Sequence, residues 1–235
     1  MPHLPAVIRV GHKGADHVAP GNTAESFRAA LEHGVDMIEF DVLRVPDGRL
    51  VLAHDYEDAA EREPLTLAEG LDHLAGPQYA DLQLDVDLKL PGYESEVVDG
   101  LHARGLAGRS LVSTMYVESL DRLGELDPGL RRGWSVPRVR RDYTRSALAV
   151  PAYAVIHWMR ARMPARAAAR INAKGCEAIM ANRLLVTPRL VQAVHGAGGE
   201  IYVWTVDDAA RIRAFERLGV DGVITNDPRL FDSSG

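Results

Sequence analysis

Short apolar segments and amphipathic segments alternate along almost the whole chain. Apolar runs bounded by turn residues predict buried strands, whereas apolar side chains three or four residues apart predict helices. The predicted strands are Val7–Val10, Met37–Val45, Leu50–Ala53, Leu82–Leu90, Ser110–Met115, Arg132–Val136, Ala178–Ala181, Ile201–Val206 and Gly222–Thr225. The predicted helices are Thr23–His33, Leu65–Leu74, Val97–Arg104, Val117–Leu126, Pro188–His195 and Asp207–Leu218.

This alternation predicts an α/β protein built from parallel βα units. Eight main strands in 235 residues favour a small (β/α)8 TIM barrel. An open doubly wound sheet is the alternative, but no Gly-rich dinucleotide motif follows the first strand. We expect one domain over residues 1–235, with one or two surface helices in the segment 137–175.

Composition narrows the class of protein. The chain is 46% hydrophobic and 26% charged with a net charge of −6, which suits a soluble domain and argues against a nucleic-acid surface. Its one cysteine, Cys176, excludes an internal disulfide and is expected to be a buried hydrophobic residue. Neither a signal peptide nor an apolar run of transmembrane length is visible, so we expect a cytoplasmic protein without a transmembrane segment.

The segment 39–55 combines acids with a hairpin signal. Glu39 and Asp41 lie two residues apart in an apolar strand and therefore share one face. A two-residue turn at Asp47-Gly48 would place Asp41 opposite His54. Pro46 lacks an N–H, so a bulge that shifts the register by one residue is the alternative.

Polar residues at the ends of several predicted strands point to a common site, because active residues of parallel barrels collect at the C-terminal ends of the strands. Asp85, Asp87 and Lys89 alternate along one strand and share a face. Glu39, Asp41 and one acid of this strand would form a group of carboxylates that suits Mg²⁺, Ca²⁺ or Mn²⁺.

Two further residue types favour phosphoester chemistry at this site. Lys13 and Lys89 would add positive charge for a phosphate group, and they stand out because the chain has only three lysines. His12 and His54 could accept and donate a proton near neutral pH. A metal, cations and a histidine pair together indicate cleavage of a phosphoester.

At the level of motifs, the chain resembles the glycerophosphodiester phosphodiesterases, within the phospholipase-C-like TIM-barrel phosphodiesterases. The motifs are G-H-K-G at 11–14, A-P-G-N-T at 19–23, S-F-R-A-A-L at 26–31, G-V-D-M-I-E-F-D-V at 34–42, D-G-R-L-V-L-A-H-D at 47–55, V-D-L-K at 86–89, V-W-T-V at 203–206 and G-V-D-G-V-I-T-N-D-P at 219–228. The resemblance implies hydrolysis of glycerophosphodiesters to glycerol 3-phosphate and an alcohol.

The resemblance also implies a role for each matching residue. The acid–base residues would be His12 and His54, and one divalent cation, Mg²⁺ or Ca²⁺ with Mn²⁺ as an alternative, would be bound by Glu39, Asp41 and Asp87. Substrate would be bound by Lys13, which stands where the family usually has Arg, by Lys89 at the phosphate, and by Trp204 at the glycerol side.

The chain departs from the family pattern at other positions too. Gly21 replaces the usual Glu, Asp87 replaces the usual Glu, and Thr114-Met115 replaces the usual Ser-Phe. The segment between His54 and Asp87 is shorter than in many members, which predicts a short or absent capping insertion and a more open mouth.

Two other functions fit the same residues. One is a lysophospholipase-D-like phosphodiesterase on the same barrel, which the short cap permits. The other is a non-catalytic barrel that binds phosphate esters, which the departures at Lys13 and Gly21 favour. We expect a small-molecule phosphodiester substrate; the sequence leaves open the leaving alcohol, the preferred cation, the order of the two histidines and the oligomeric state.

Overall fold

The computed structural model of the chain describes residues 7–138 and 149–232. Within these ranges nine strands follow one another in chain order: β1 Ile8–Gly11, β2 Met37–Arg44, β3 Leu50–Val51, β4 Gln83–Leu88, β5 Ser110–Thr114, β6 Arg131–Val136, β7 Ala178–Asn182, β8 Glu200–Trp204 and β9 Gly222–Thr225. Eight α-helices in the same ranges are α1 Ala24–Glu32, α2 Tyr56–Glu61, α3 Leu67–Leu74, α4 Glu94–Ala103, α5 Val117–Leu126, α6 Ala149–Asn172, α7 Pro188–Gly196 and α8 Ala209–Leu218.

Eight of the strands close into a parallel barrel. The order around the ring is β1-β9-β8-β7-β6-β5-β4-β2, and pairing of β1 with β2 completes the circle. The remaining strand, β3, pairs antiparallel with the end of β2 and extends the sheet at one edge. The predicted (β/α)8 TIM barrel is confirmed, whereas the assignment of residues 1–235 to one domain stays a prediction.

Alternation along the strands separates a helix-facing side from an interior side. On β2, Ile38, Phe40 and Val42 are buried in the apolar layer between the barrel and the helices. The residues between them, including Glu39 and Asp41, point to the barrel interior, as period-two geometry requires. Acids among apolar neighbours on these strands are therefore interior residues.

The interior changes in character from one end to the other. Toward the N-terminal ends of the strands it holds an apolar cluster that includes Val10, Met37 and Leu111. Arg131 lies at this end too and hydrogen bonds to Gln83 (2.8 Å) and Glu200 (2.5 Å). Polar residues collect instead at the C-terminal ends, where active sites of this fold are located.

The hairpin register differs by one residue from the predicted two-residue turn. Leu43 pairs with Val51 and Arg44 with Leu50, and the Val45 N–H donates to the carbonyl oxygen of Arg49 (3.0 Å). The loop beyond this last pair therefore has three residues, 46–48, centred on Asp47. Gly48 has a φ of 92°, the left-handed conformation that such a loop needs. The expectation that Asp41 faces His54 in the ladder is therefore wrong, and the shifted register suggested by Pro46 is the observed one.

Other differences concern one helix that was not predicted and the bounds of predicted elements. Helix α2 was not predicted, and none of its residues is buried. The predicted strand Leu50–Ala53 shortens to Leu50–Val51, and helix α4 begins at Glu94 rather than Val97. The described part of segment 137–175 contains one 24-residue helix, α6, and Cys176 is buried as expected.

No helix in the described ranges has both the length and the apolar character needed to cross a membrane.

Candidate active site

Three carboxylates meet at the C-terminal end of the barrel. Glu39 and Asp41 project from β2, and Asp87 projects from β4 directly beside Asp41, its partner in the strand register. One carboxylate oxygen of each residue lies within 4.8 Å of the others. Parallel pairing of β2 with β4 is what brings residues 46 positions apart into one cluster.

Hydrogen bonds from the loop after β1 hold the two acids of β2. The backbone N–H of Lys13 donates to Glu39 Oε2 (2.8 Å). Asn22 donates from Nδ2 to Asp41 Oδ2 (2.9 Å) and accepts from the Asp41 N–H (3.0 Å), which makes a reciprocal pair. Both carboxylates are buried, so these bonds offset part of the cost of taking charge out of water.

The charge of the cluster is only partly balanced. Lys89 Nζ contacts Asp41 Oδ1 and donates to Asp87 Oδ2 (2.6 Å). Burial opposes ionisation of Asp41, but the positive charges of Lys89 and the two histidines outweigh it and hold the pKa of Asp41 below its usual range. Burial and the charge of Asp41 raise the pKa of Glu39 well above its usual value.

These residues fit a hard divalent cation. The donor set consists of oxygen atoms, which select Mg²⁺, Ca²⁺ or Mn²⁺ over softer metals. Asp41 Oδ1 is buried and accepts no well-aligned hydrogen bond, although Lys89 contacts it. Asp85, next below Asp87 on β4, adds a buried acid whose pKa is raised to about 8 by burial and by the charge of Asp87. A cation would relieve the excess of negative charge that Lys89 leaves.

His12 is held by a chain of hydrogen bonds on the other side of the cluster. Its Nδ1 contacts Asn226 Oδ1 (2.5 Å), and Asn226 Nδ2 donates to Asp207 Oδ2 (2.7 Å). Asp207 Oδ1 also accepts the Asn226 N–H (2.8 Å). The other ring nitrogen of His12 lies 3.9 Å from Glu39 Oε2. Burial lowers the pKa of His12, and the charge of Asp41 only partly opposes this.

His54 lies in the loop between β3 and α2, and half of its side chain is exposed. Its Nδ1 contacts Asp55 Oδ2 (3.0 Å), while Asp55 Oδ1 accepts the N–H groups of Glu57 and Asp58 at the start of α2. The ring lies close enough to Asp41 for its charge to lower the pKa of that acid. Both predicted histidines thus lie beside the carboxylate cluster, one buried and one open to solvent.

The remaining predicted residues occupy two sides of the site. Lys13 has a φ of 50°, uncommon for a residue with a side chain, and its Nζ donates to Asp16 Oδ2 (3.2 Å). Trp204 is half-buried at the end of β8, three strands from β2 around the ring. Its indole N–H donates to the carbonyl oxygen of Met180 (2.9 Å), and its ring packs on the apolar interior.

Three residues of the site were not singled out from the sequence. Asn22 lies within the A-P-G-N-T motif, so the motif itself was a signal for it, but the pairing with Asp41 spans 19 positions. Asp207 follows the V-W-T-V motif and acts on Asn226 of a different strand. Asp16 lies in a short loop that carries no periodic pattern.

Comparisons with known proteins agree with this geometry. The model of the glycerophosphoryl diester phosphodiesterase family matches residues 12–74 and 134–230. A glycerophosphodiester phosphodiesterase of Caldanaerobacter subterraneus is 24% identical over 93% of each chain. One from Bacillus altitudinis is 27% identical over 92% of this chain and 93% of its own.

Solved structures share the fold at lower identity. A phosphodiesterase of Oleispira antarctica, solved with the product sn-glycerol-3-phosphate, has a TM-score of 0.72 at 21% identity and covers 96% of this chain and 95% of its own. A putative glycerophosphoryl diester phosphodiesterase of Silicibacter pomeroyi has a TM-score of 0.74 at 21% identity, with 96% and 92% covered. Since the family model spans the strand β2 that carries Glu39 and Asp41 as well as the later half of the barrel, this chain belongs to the glycerophosphoryl diester phosphodiesterase family.

Proposed function

We propose that this protein hydrolyses glycerophosphodiesters to glycerol 3-phosphate and an alcohol, with one bound divalent cation and with His12 and His54 as the acid–base pair. The observation that carries the proposal is the convergence of Glu39, Asp41 and Asp87 within 4.8 Å, beside both histidines, at the C-terminal end of the barrel. Family membership adds the class of substrate.

Each charged residue has a separate task in this proposal. Glu39, Asp41 and Asp87 hold the cation, which when bound stabilises negative charge on the phosphate oxygens. Lys89 pairs with Asp41 and Asp87 and adds positive charge for the phosphate. Lys13 supplies a second ammonium group at the rim, where it meets the same phosphate.

The hydrogen-bond chain through Asn226 favours His12 as the base. A carboxylate can only accept, so Asp207 fixes the Asn226 amide with its N–H₂ toward Asp207 and its oxygen toward His12. The proton of neutral His12 therefore lies on Nδ1, and Nε2 has a free lone pair on the side of Glu39. Burial, which lowers the pKa of His12, favours this neutral form.

The proposed reaction then uses the two rings in sequence. Nε2 of His12 takes the proton of the attacking hydroxyl as its oxygen bonds to phosphorus, while the bond between phosphorus and the leaving oxygen breaks and protonated His54 gives its proton to that oxygen. Attack by water gives glycerol 3-phosphate directly. Attack by the glycerol 2-hydroxyl gives a cyclic phosphate, which water then opens to glycerol 3-phosphate with His54 taking the proton of the water and His12 returning its proton to the 2-hydroxyl oxygen. The exposed position of His54 suits a residue that meets the leaving alcohol at the mouth.

Replacement of each histidine tests the assignment. His12→Ala and His54→Ala are expected to lower kcat with glycerophosphocholine by about 10²- to 10⁴-fold, the usual contribution of acid–base groups, while the barrel stays folded. His102→Ala is the matched control, because His102 is exposed and pairs with Asp127 away from the site. Near-wild-type rates for either site variant would remove that histidine from the mechanism.

A substrate and metal panel tests the remaining parts. Rates with glycerophosphocholine and lysophosphatidylcholine separate the proposed activity from the lysophospholipase-D-like alternative. Absence of cleavage with Mg²⁺, Ca²⁺ and Mn²⁺ would favour a barrel that only binds phosphate esters. Anomalous scattering from crystals soaked in Mn²⁺ tests directly for an ion among Glu39, Asp41 and Asp87.

A further inference from the structure

The ammonium group of Lys13 is held by a carboxylate from its own loop. Asp16 Oδ2 accepts a hydrogen bond from Lys13 Nζ (3.2 Å), and Asp16 Oδ1 accepts one from the backbone N–H of Gly21 (2.9 Å). Only 20% of the Lys13 side chain and 28% of the Asp16 side chain are exposed. Asp16 thereby connects Lys13, at the start of this loop, to Gly21, near its end.

Gly21 leaves the room that this pair occupies. A Cβ atom at position 21 would lie 2.4 Å from Asp16 Oδ1 and 2.8 Å from Lys13 Cβ, so the side chains of Asp16 and Lys13 would both have to shift to admit it. The backbone of Gly21 is not in the left-handed region, so its conformation is open to any residue. Glycine is needed here for space, and the space is filled by Asp16 and Lys13.

The negative charges around Lys13 explain why its hydrogen bond to Asp16 is needed to hold the ammonium group in place. Lysine is a compact charge on a flexible stem, so its position depends on its partners. Three acids attract the ammonium group: Asp16, which accepts its hydrogen bond, and Asp41 and Glu39 of the carboxylate cluster. Without Asp16, the strongest remaining attraction on the ammonium group is that of Asp41 and Glu39, the acids of the proposed cation site.

We infer that Asp16 is a positioning residue that holds Lys13 at the rim of the site, where the ammonium group can meet the substrate phosphate. This inference rests on the proposed function. It also connects two departures from the family pattern, Lys13 in place of the usual Arg and Gly21 in place of the usual Glu. Asp16 fills the space beside Lys13 that a side chain at position 21 would otherwise enter.

Removal of the Asp16 charge is the first test. Asp16→Asn is expected to raise KM and to weaken glycerol 3-phosphate binding by about tenfold, the scale of one charge-assisted hydrogen bond, while kcat changes less. Binding is measured by calorimetry on the full chain with Mg²⁺ present. Asp72→Asn is the control, because it removes one charge from an exposed pair with Arg104. Unchanged binding in Asp16→Asn would overturn the inference.

Exchange of the two side chains separates positioning from folding. Gly21→Glu alone is expected to lose affinity, because it displaces Asp16, and Asp16→Gly alone is expected to lose the tether. The double variant Asp16→Gly/Gly21→Glu keeps the net charge and removes the closest contact of the new side chain, that with Asp16 Oδ1, although Lys13 must still shift away from the new Cβ atom. Its matched control is Asp16→Gly/Gly21→Gln, which has the same contact with Lys13 but no carboxylate. Higher glycerol 3-phosphate affinity with Glu than with Gln at position 21 supports the inference, whereas equal affinity in the two double variants overturns it.

The two proposals fail in different ways. If the wild-type protein binds glycerol 3-phosphate but hydrolyses no phosphodiester, the proposed hydrolysis is wrong. The comparison of glycerol 3-phosphate binding among the Asp16 and Gly21 variants would still test the positioning role of Asp16. A wild-type protein that binds no glycerol 3-phosphate would overturn the positioning role itself.

Discussion

Asn226 decides which nitrogen of His12 can take up a proton, because its side-chain oxygen accepts the proton of Nδ1 in a single hydrogen bond. Asn226→Ala removes the acceptor of the Nδ1 proton, which lets the ring rotate or change tautomer. We expect a loss of about 1–3 kcal/mol of transition-state stabilisation, or roughly 5- to 150-fold in kcat/KM. The tautomer itself is measured by ¹⁵N NMR of the histidine ring, with Asn172→Ala on the surface of α6 as control. A wild-type ring protonated on Nε2 would contradict the assignment of His12 as base.

The reactivity of the Cys176 thiol is expected to depend on pH and on folding. Burial raises the pKa of its thiol to about 11. The reactive thiolate therefore forms only as the pH rises through this value, and the folded protein should resist thiol reagents at pH 8. Reaction with a chromogenic disulfide should begin only as denaturant unfolds the barrel. Rapid labelling under native conditions would show that the thiol is accessible.

At the scale of elements, the sequence predicts segments with a strong apolar pattern and misses those without one. Helix α5 has the predicted bounds Val117–Leu126, because its buried residues recur at helical spacing. Helix α2 buries no residue, so hydrophobic periodicity carries no signal for it. The β2–β3 register depends on a left-handed Gly48 in a three-residue loop, and the sequence left two registers open.

Helix α2 nevertheless matters to the site, through the residue that begins it. Asp55 caps the helix with Oδ1 and contacts His54 Nδ1 with Oδ2, and the cap bonds lower the pKa of Asp55. Since its folded pKa is depressed, the stabilisation is present above the pKa of the unfolded chain and is lost as pH falls through the folded value.

We therefore expect Asp55→Ala to destabilise the protein by about 1 kcal/mol at pH 7, the usual cost of losing an N-cap, and to lower kcat by releasing His54. Urea unfolding at pH 7 and pH 2.5 measures the first effect, which should shrink at the lower pH. Asp208→Ala, which removes the cap of α8 instead, is the control for a cap without a histidine. Equal losses of kcat in Asp55→Ala and Asp208→Ala would show that Asp55 has no specific role in positioning His54 for catalysis.

At the scale of the whole molecule, ring closure assembles the site from distant parts of the chain. Pairing of β1 with β9 brings His12 to Asn226, 214 positions away, and pairing of β2 with β4 brings Asp41 to Asp87. The acids could be found from the sequence because alternation places them on interior faces of neighbouring strands. The hydrogen-bond partners of Asp207, Asn22 and Asp16 could not be found in this way, because they are set by loop conformations that have no period.

The acid cluster also predicts how the stability of the whole barrel responds to a cation. Glu39, Asp41 and Asp87 repel one another in the fold, so an ion that binds only the folded state should stabilise it by about 2.7 kcal/mol at 100 times its Kd. For a chain of this length that is a rise in Tm of roughly 5–10 °C. Differential scanning calorimetry with Mg²⁺, Ca²⁺ or Mn²⁺, and again after chelation, measures the shift.

Variants decide whether this shift comes from the proposed site. Glu39→Gln keeps an acceptor for the Lys13 N–H but removes one carboxylate charge, so the apo protein should melt at a temperature equal to or above that of wild type. The cation should then raise its Tm much less, because a ligand and part of the attraction are gone. Asp72→Asn, far from the cluster, should keep the full wild-type shift. If the cation raises the Tm of Glu39→Gln as much as that of wild type, the ion binds elsewhere. The repulsion among Glu39, Asp41 and Asp87 must then be offset by nearby cationic side chains such as Lys89.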